Sequence, residues 1–228
     1  MILRMFILTL EPEYPLVFSV EELRSFLNKE LAEFMAFHRT DTTGFVHRYP
    51  VVQAKQVKRD LIVIGISQGA DCLCQILRDH KTLGAGEHTC RITACDPEIR
   101  SELFGVTDTV TAYEFLTPYL ALNQQHAKQF YDLNGKAQRD AFLQTLLTTH
   151  LATLAKSLDC TITTPVRCEA KVRFKRERIA DENVMVFLGK FRTNLRIPDY
   201  LGIGRLVSQG YGTITCIRES PDTHRGEL

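Results

Sequence analysis

Between residues 2 and 10 the chain reads ILRMFILTL, an almost unbroken apolar run with the pattern of a strand. Ser19 then opens a helix through the capping box SVEE, in which Glu22 can reach back to the Ser19 amide. Val20, Leu23, Leu27, Leu31 and Phe34 recur at three- and four-residue spacing, giving that helix one apolar face. Two strand-like runs follow, FVHRYPVVQAKQV and LIVIGI, separated by KRD, and then a second helix, QGADCLCQILRDH. RITAC to TVTAYEF supplies further strands. The order strand, helix, two strands, helix, strand is that of the ferredoxin-like split unit.

A change of composition near residues 110 to 125, around LTPYLALNQQ, marks a boundary, and the expected domains are 1–112 and 113–228. Beyond it, Leu143, Leu147, Leu151, Leu154 and Leu158 line one face of a long helix. Strands return in CEAKVRFKRERI and NVMVFLGKFRTNL, joined by ADE. The second half therefore reads as a degraded copy of the first. The expected class is α+β, tandem ferredoxin-like (RRM-like) domains with antiparallel sheets and helices on one face. No low-complexity linker separates the halves, so they are expected to pack rigidly.

At 228 residues, 44% hydrophobic and 24% charged, the composition is that of a globular chain with room for a core. The apolar start carries Arg4 and runs into EPEYP, which reads as a first strand and not a signal peptide. No apolar run approaches the ~20 residues of a membrane span, and no membrane partner is expected. Seven cysteines without a C-x-x-C pair argue against a disulfide framework and a zinc site, pointing to reduced thiols and a cytoplasmic location.

The formal net charge of +1 conceals an uneven distribution. Between Arg167 and Arg196 there are nine Lys or Arg against four Asp or Glu, and the rest of the chain is net negative. Within that segment Lys171, Arg173 and Lys175 alternate with Val172 and Phe174, which sets three cations on one strand face above an expected buried face. Such a face can track a phosphate backbone. Close behind lies PDYLGIGRLVSQGYGTI, where Gly202, Gly204, Gly210 and Gly212 form two G-x-G pairs around Arg205 and Ser208. Successive glycines let amide groups converge on an anion, or simply allow a tight loop between strands. A dinucleotide fingerprint would need a helix after the glycines, whereas GTITCI reads as a strand.

Candidates for chemistry are few. GISQG, Gly65 to Gly69, satisfies G-x-S-x-G and makes Ser67 a formal nucleophile of hydrolase type, but that fold needs parallel strands and a longer scaffold. His38 and His47 flank the polar stretch RTDTTGFV, and histidine is the side chain best matched to proton transfer near neutral pH. His38 also suits the C-terminal dipole of the first helix.

Taken together, these pieces resemble the CRISPR-associated endoribonucleases of the sixth Cas family. IPDYLGIGRLVSQGYGTI is similar to the family's C-terminal glycine-rich loop, HRYPVVQAK to the R-Y-P-x-x-Q-x-K segment of one branch, and FLTPYLALN to its central T/S-P-aromatic-L-A-L-N stretch. VFLGKFRTNLRIPDY, which contains Arg192, is similar to the run leading into the loop. The resemblance covers most of residues 1 to 216. It implies metal-independent cleavage of CRISPR repeat RNA, with no cofactor. The ribose 2′-OH attacks the adjacent phosphate, leaving a 2′,3′-cyclic phosphate and a 5′-OH. His38 falls on the first position of the branch's His-x-His pair, Thr40 stands at the second, and His47 occupies a position where the branch usually has Tyr. Lys55 is the implied neutraliser of the pentacoordinate phosphate. RNA contacts are implied for Lys171, Arg173, Lys175, Arg192, Gly202, Gly204, Arg205, Ser208, Gly210 and Gly212. Other CRISPR effector or adaptation proteins and a homodimer are compatible partners. The rival reading is a non-catalytic RNA-holding subunit of an effector complex.

Overall fold

The computed structural model describes residues 1–10, 19–37, 49–80, 82–85, 88–91, 97–179 and 181–218. The first half runs β1 (Ile2–Leu10), α1 (Val20–Phe37), β2 (Val52–Val57), β3 (Asp60–Ile66), α2 (Gln68–Asp79), the hairpin β4 (Thr82–Ala85) and β5 (His88–Arg91), then β6 (Glu98–Leu103). Its sheet has the order β2-β3-β1-β6, and each neighbouring pair is antiparallel. In the second half come β7 (Gly105–Phe115), α3 (Gln124–Asp132), α4 (Lys136–Ser157), β8 (Cys168–Ile179), β9 (Glu182–Arg196) and β10 (Ile214–Cys216). That sheet has the order β10-β7-β9-β8, again antiparallel. In both sheets the first strand lies between the fourth and the third, and the second takes an edge. The ferredoxin-like topology thus occurs twice, and the small β4–β5 hairpin is an insertion that the sequence pattern did not separate.

The second unit departs from the first at one step. Where α2 crosses from β3 to β6, no helix crosses from β9 to β10. Residues 197–213 make that connection, with one 3-10 turn at Val207–Gln209. The glycine stretch is therefore the structural replacement of a helix. The change from one sheet to the other falls at Phe104, and residue 112 lies inside β7.

Local signals explain the elements. The capping box at α1 is formed, Ser19 N–H donating to Glu22 Oε2 at 2.6 Å and Glu22 N–H to Ser19 Oγ at 3.2 Å. Asn123 caps α3 by accepting from the His126 amide at 2.7 Å. In β1, Phe6, Leu8 and Leu10 join the core beneath α1 and α2. Leu3, Met5 and Ile7 join a second core together with the rings of the other sheet. Both faces of β1 are covered, which is why its sequence is apolar without alternation. That second core holds Leu143, Leu147, Leu151 and Leu154 of α4 with Tyr113, Phe115, Phe187 and Phe191, and it makes one body of the two sheets.

One expectation fails here. Val172 is half-buried, but Phe174 is 51% exposed. As β8 is the edge strand, its outer positions extend past the helical cover.

Candidate RNA-binding and cleavage site

His38 and His47 lie outside the described residues. Their segment is bounded by α1, which ends at Phe37, and by Tyr49, and the second boundary is informative. The Tyr49 hydroxyl donates to Gly202 O and accepts from Gly202 N–H, each at 2.8 Å, so the chain two residues beyond His47 is fastened to the glycine loop. Burial raises the Tyr49 pKa and keeps the hydroxyl protonated for this double role.

The glycine loop is held from within. Gly210 O accepts from Thr117 Oγ1 at 2.6 Å and from Thr213 Oγ1 at 2.9 Å, and Thr213 N–H donates to Thr117 Oγ1 at 2.9 Å. Gly210 N–H donates to Val207 O at 3.0 Å, and Gly212 N–H to Pro118 O at 2.8 Å. Arg205 N–H donates to Leu120 O, while its guanidinium donates to Leu122 O at 2.6 Å. Three of the four glycine amides are therefore occupied by the fold itself, Gly202 by Tyr49 and the other two by carbonyls. What the glycines supply is space. A Cβ on Gly212 would collide with Ile203 O and one on Gly202 with the Val207 side chain; on Gly204 it would stand 2.6 Å from the Tyr119 ring. Gly204, Gly210 and Gly212 also have φ of +91°, +87° and +65°. The exposed residues of the loop are Arg205, Leu206, Ser208 and Gln209.

Lys55 stands in β2 at the side of the sheet that faces the second unit, and it is 0% exposed. Gly210 packs directly on this strand, its Cα so placed that a Cβ would lie 3.4 Å from Lys55 Cα. Lys55 Nζ has no hydrogen-bond partner among the described residues, and neither does Oε1 of the buried Gln53 on the same strand face. Desolvation drives the Lys55 pKa well below the ordinary lysine range, which favours the neutral amine. Next to Lys55 in β2, Gln56 lines a cleft between the first turn of α1 and the glycine loop, together with Glu21, Arg24, Gln209, Gly210 and Tyr211; Lys55 itself does not line it. A neighbouring cleft along α1 and β2 is lined by Ser208 and Gln209.

Lys171, Arg173 and Lys175 are exposed on one face of β8. The register sets Lys171 opposite Lys190 and Glu169 opposite Arg192, which brings Arg192 onto the same face. Glu177, the next residue in that row, pairs with Lys175 at 3.3 Å and also lines the cleft beside Gly210 and Tyr211. The cation row thus leads to the cleft.

Sequence reasoning gave no role to Tyr119 and His150. Tyr119 Oη lies 2.6 Å from His150 Nδ1, under the loop at Gly204. Burial, with His126 and Arg205 nearby, lowers the His150 pKa to about 4. A buried hydroxyl in an L-T-P-Y turn was the available signal, since it requires a partner.

Ser67 sits at the turn from β3 into α2 with φ +51° and ψ −111°. Its sheet is antiparallel, and among the described residues its Oγ has no hydrogen-bond partner, so the hydrolase reading is set aside. Gly65 and Gly69 are there because α2 packs against β2 and β3 at backbone distance; a Cβ on Gly69 would collide with Val51 O. Among the described residues no His, Cys, Asp and Glu side chains gather as a metal site, and no helix is long and apolar enough to cross a membrane.

The family model of the Cas6b N-terminal domain matches residues 1–102, and that of the Cas6b C-terminal domain matches residues 105–217. A crystal structure of Cas6b is 28% identical with a TM-score of 0.79, the alignment covering 95% of this chain and 100% of that one. The structure of a CRISPR RNA processing endoribonuclease Cas6b is 24% identical with a TM-score of 0.73, covering 95% and 100%. An uncharacterized protein of Methanocaldococcus jannaschii is 28% identical over 128 residues, 54% of this chain and 83% of that protein.

Proposed function

The chain belongs to the Cas6b family, and on that premise we propose that it cuts CRISPR repeat RNA without a metal ion. The observation that carries the reading is the clamp of Tyr49 on Gly202, which ties the end of the segment bearing His38 and His47 to the glycine loop. The loop in turn rests on the strand of Lys55 and adjoins the cleft to which the cation row leads.

In the proposed reaction the 2′-O–P bond forms as the P–O5′ bond breaks. One histidine of the pair His38 and His47 takes the 2′-OH proton, and a proton is delivered to the departing 5′-oxygen. The products are a 2′,3′-cyclic phosphate and a 5′-OH. RNA supplies its own nucleophile, so the protein has only to align it, move protons and offset charge. Lys55 offsets charge on the phosphate once it carries a proton. Burial lowers its pKa in the folded chain, so this role requires the amine to be protonated when the RNA is bound. Lys171, Arg173, Lys175 and Arg192 hold the backbone, and Arg205 and Ser208 extend the contact along the loop. The glycines Gly202, Gly204, Gly210 and Gly212 shape that loop so that RNA can lie against it.

End-labelled repeat RNA from the protein's own locus, incubated in EDTA, tests the proposal. One cut is expected, abolished by a single 2′-deoxy just upstream of it. His38→Ala or His47→Ala should slow single-turnover cleavage by at least ~100-fold with RNA affinity changed only a few-fold. A strict requirement for a divalent ion would overturn the mechanism. Full activity in both histidine variants would transfer cleavage elsewhere, and RNA binding without cleavage would make the chain an RNA-holding subunit.

A further inference from the structure

Phe174 is an exposed aromatic ring in the most basic strand of the chain, and the cleavage site gives it no task. Its ring is set edge-on against Phe130 of α3, with centroids 6.1 Å apart and planes at 82°. Phe130 is itself 2% exposed and fixed by Phe142, Phe187 and the Arg139 guanidinium, which sits 5.5 Å from the ring centroid. Phe174 is thus the outermost ring of a rigid aromatic cluster, oriented by its edge, with half its surface in solvent.

Its surroundings are cationic. Arg173 and Lys175 flank it in sequence on the opposite face of β8, and Arg176 and Arg178 follow, both exposed. Since β8 is an edge strand, the two faces meet along its free backbone edge. A polyanion lying on the Lys171, Arg173 and Lys175 row has the ring within one strand's width. An oriented aromatic face beside a phosphate track is the arrangement that holds the bases of single-stranded nucleic acid.

We propose that Phe174 is a stacking platform for one unpaired nucleobase of the bound RNA, outside the cleavage cleft. The inference rests on the RNA reading above. It adds an anchoring residue that contributes affinity and register and takes no part in the chemistry.

The chain contains no tryptophan, so Phe174→Trp introduces a single indole fluorophore at the site. The probe is 5′-labelled single-stranded repeat RNA, unmodified or carrying one abasic position at a time. Phe174→Trp should bind as tightly as the wild type, with its indole emission quenched on RNA addition. Phe174→Ala should weaken binding by about 5- to 100-fold, and one abasic position should erase the difference between the wild type and Phe174→Ala. A melting temperature for each variant verifies folding, and the Phe174→Trp variant keeps the test open should the alanine variant unfold. The inference falls if the indole of Phe174→Trp is not quenched and Phe174→Ala binds normally while alanines at Lys171, Arg173 and Lys175 weaken binding. It falls also if Phe174→Ala alters only the sedimentation of the protein, which would make the ring a protein contact. Absence of RNA binding by the wild type would instead overturn the RNA reading, and this inference with it.

Discussion

His150 is held in the folded chain at a pKa of about 4 against an ordinary 6.5, because the fold buries its ring under the glycine loop beside Tyr119. Between these values the unfolded chain binds a proton that the folded chain does not. Stability therefore falls as pH drops from 6.5 to 4, by on the order of 3 kcal/mol from this group. Urea unfolding at pH 7 and pH 4.5 should show a smaller loss in His150→Gln than in the wild type. Equal losses in the two proteins would mean that His150 titrates normally. No short stretch around His150 announces this behaviour, since its partners come from other elements. The Ser19–Glu22 capping box is the opposite case, complete within one helical turn and formed as its spacing requires. Lys55 falls between the two. It was legible as a cation of the Q-x-K segment, whereas the charge state of an amine with 0% exposure and no partner among the described residues is decided by distant elements such as the loop at Gly210.

Among the elements, the glycine stretch is the one whose presence was plain and whose role the string left open. Four glycines announced a backbone of unusual shape, and two explanations, anion nest or tight turn, fitted the string equally well. The structure commits the amides of Gly202, Gly210 and Gly212 to Tyr49, Val207 and Pro118, bonds that join positions as far apart as 49 and 202. Close approach is what the glycines permit, and this separates them in mutagenesis. Gly212→Ala would drive a methyl into Ile203 O at φ +65° and should lower stability by about 3 kcal/mol or more. Gly210→Ala meets its nearest neighbour at 3.4 Å, so it carries mainly the left-handed backbone penalty of about 1–2 kcal/mol. Melting temperatures should rank the wild type above Gly210→Ala, and that variant above Gly212→Ala. Equal losses would mean that backbone conformation alone sets the requirement.

For the whole molecule, the basic segment of an otherwise balanced chain becomes a surface only because β8 and β9 pair, setting Lys171 opposite Lys190 and Arg192 opposite Glu169. If RNA lies on that face, replacing Lys171, Arg173 and Lys175 by alanine removes three phosphate contacts. The slope of log Kd against log salt for single-stranded repeat RNA should then flatten by about 2. Weaker binding with an unchanged slope would assign these cations a structural role. The two halves meet through β1, whose alternate residues Leu3, Met5, Ile7 and Phe6, Leu8, Leu10 enter two cores.

Taken alone, the sequence determined most of the elements and their order, the ferredoxin-like repeat and the concentration of cations, because periodicity, caps and strand alternation are properties of short stretches; the β4–β5 hairpin and α3 it did not show. The tertiary structure decided what those stretches do. It replaced a crossover helix with the glycine loop, tied Tyr49 to Gly202, enclosed Lys55, opened Phe174 to solvent and set Tyr119 against His150. Each of these outcomes depends on which distant surfaces exclude water from a side chain or offer it a partner. Burial and hydrogen bonding of that kind are properties of the assembled fold, not of the local string.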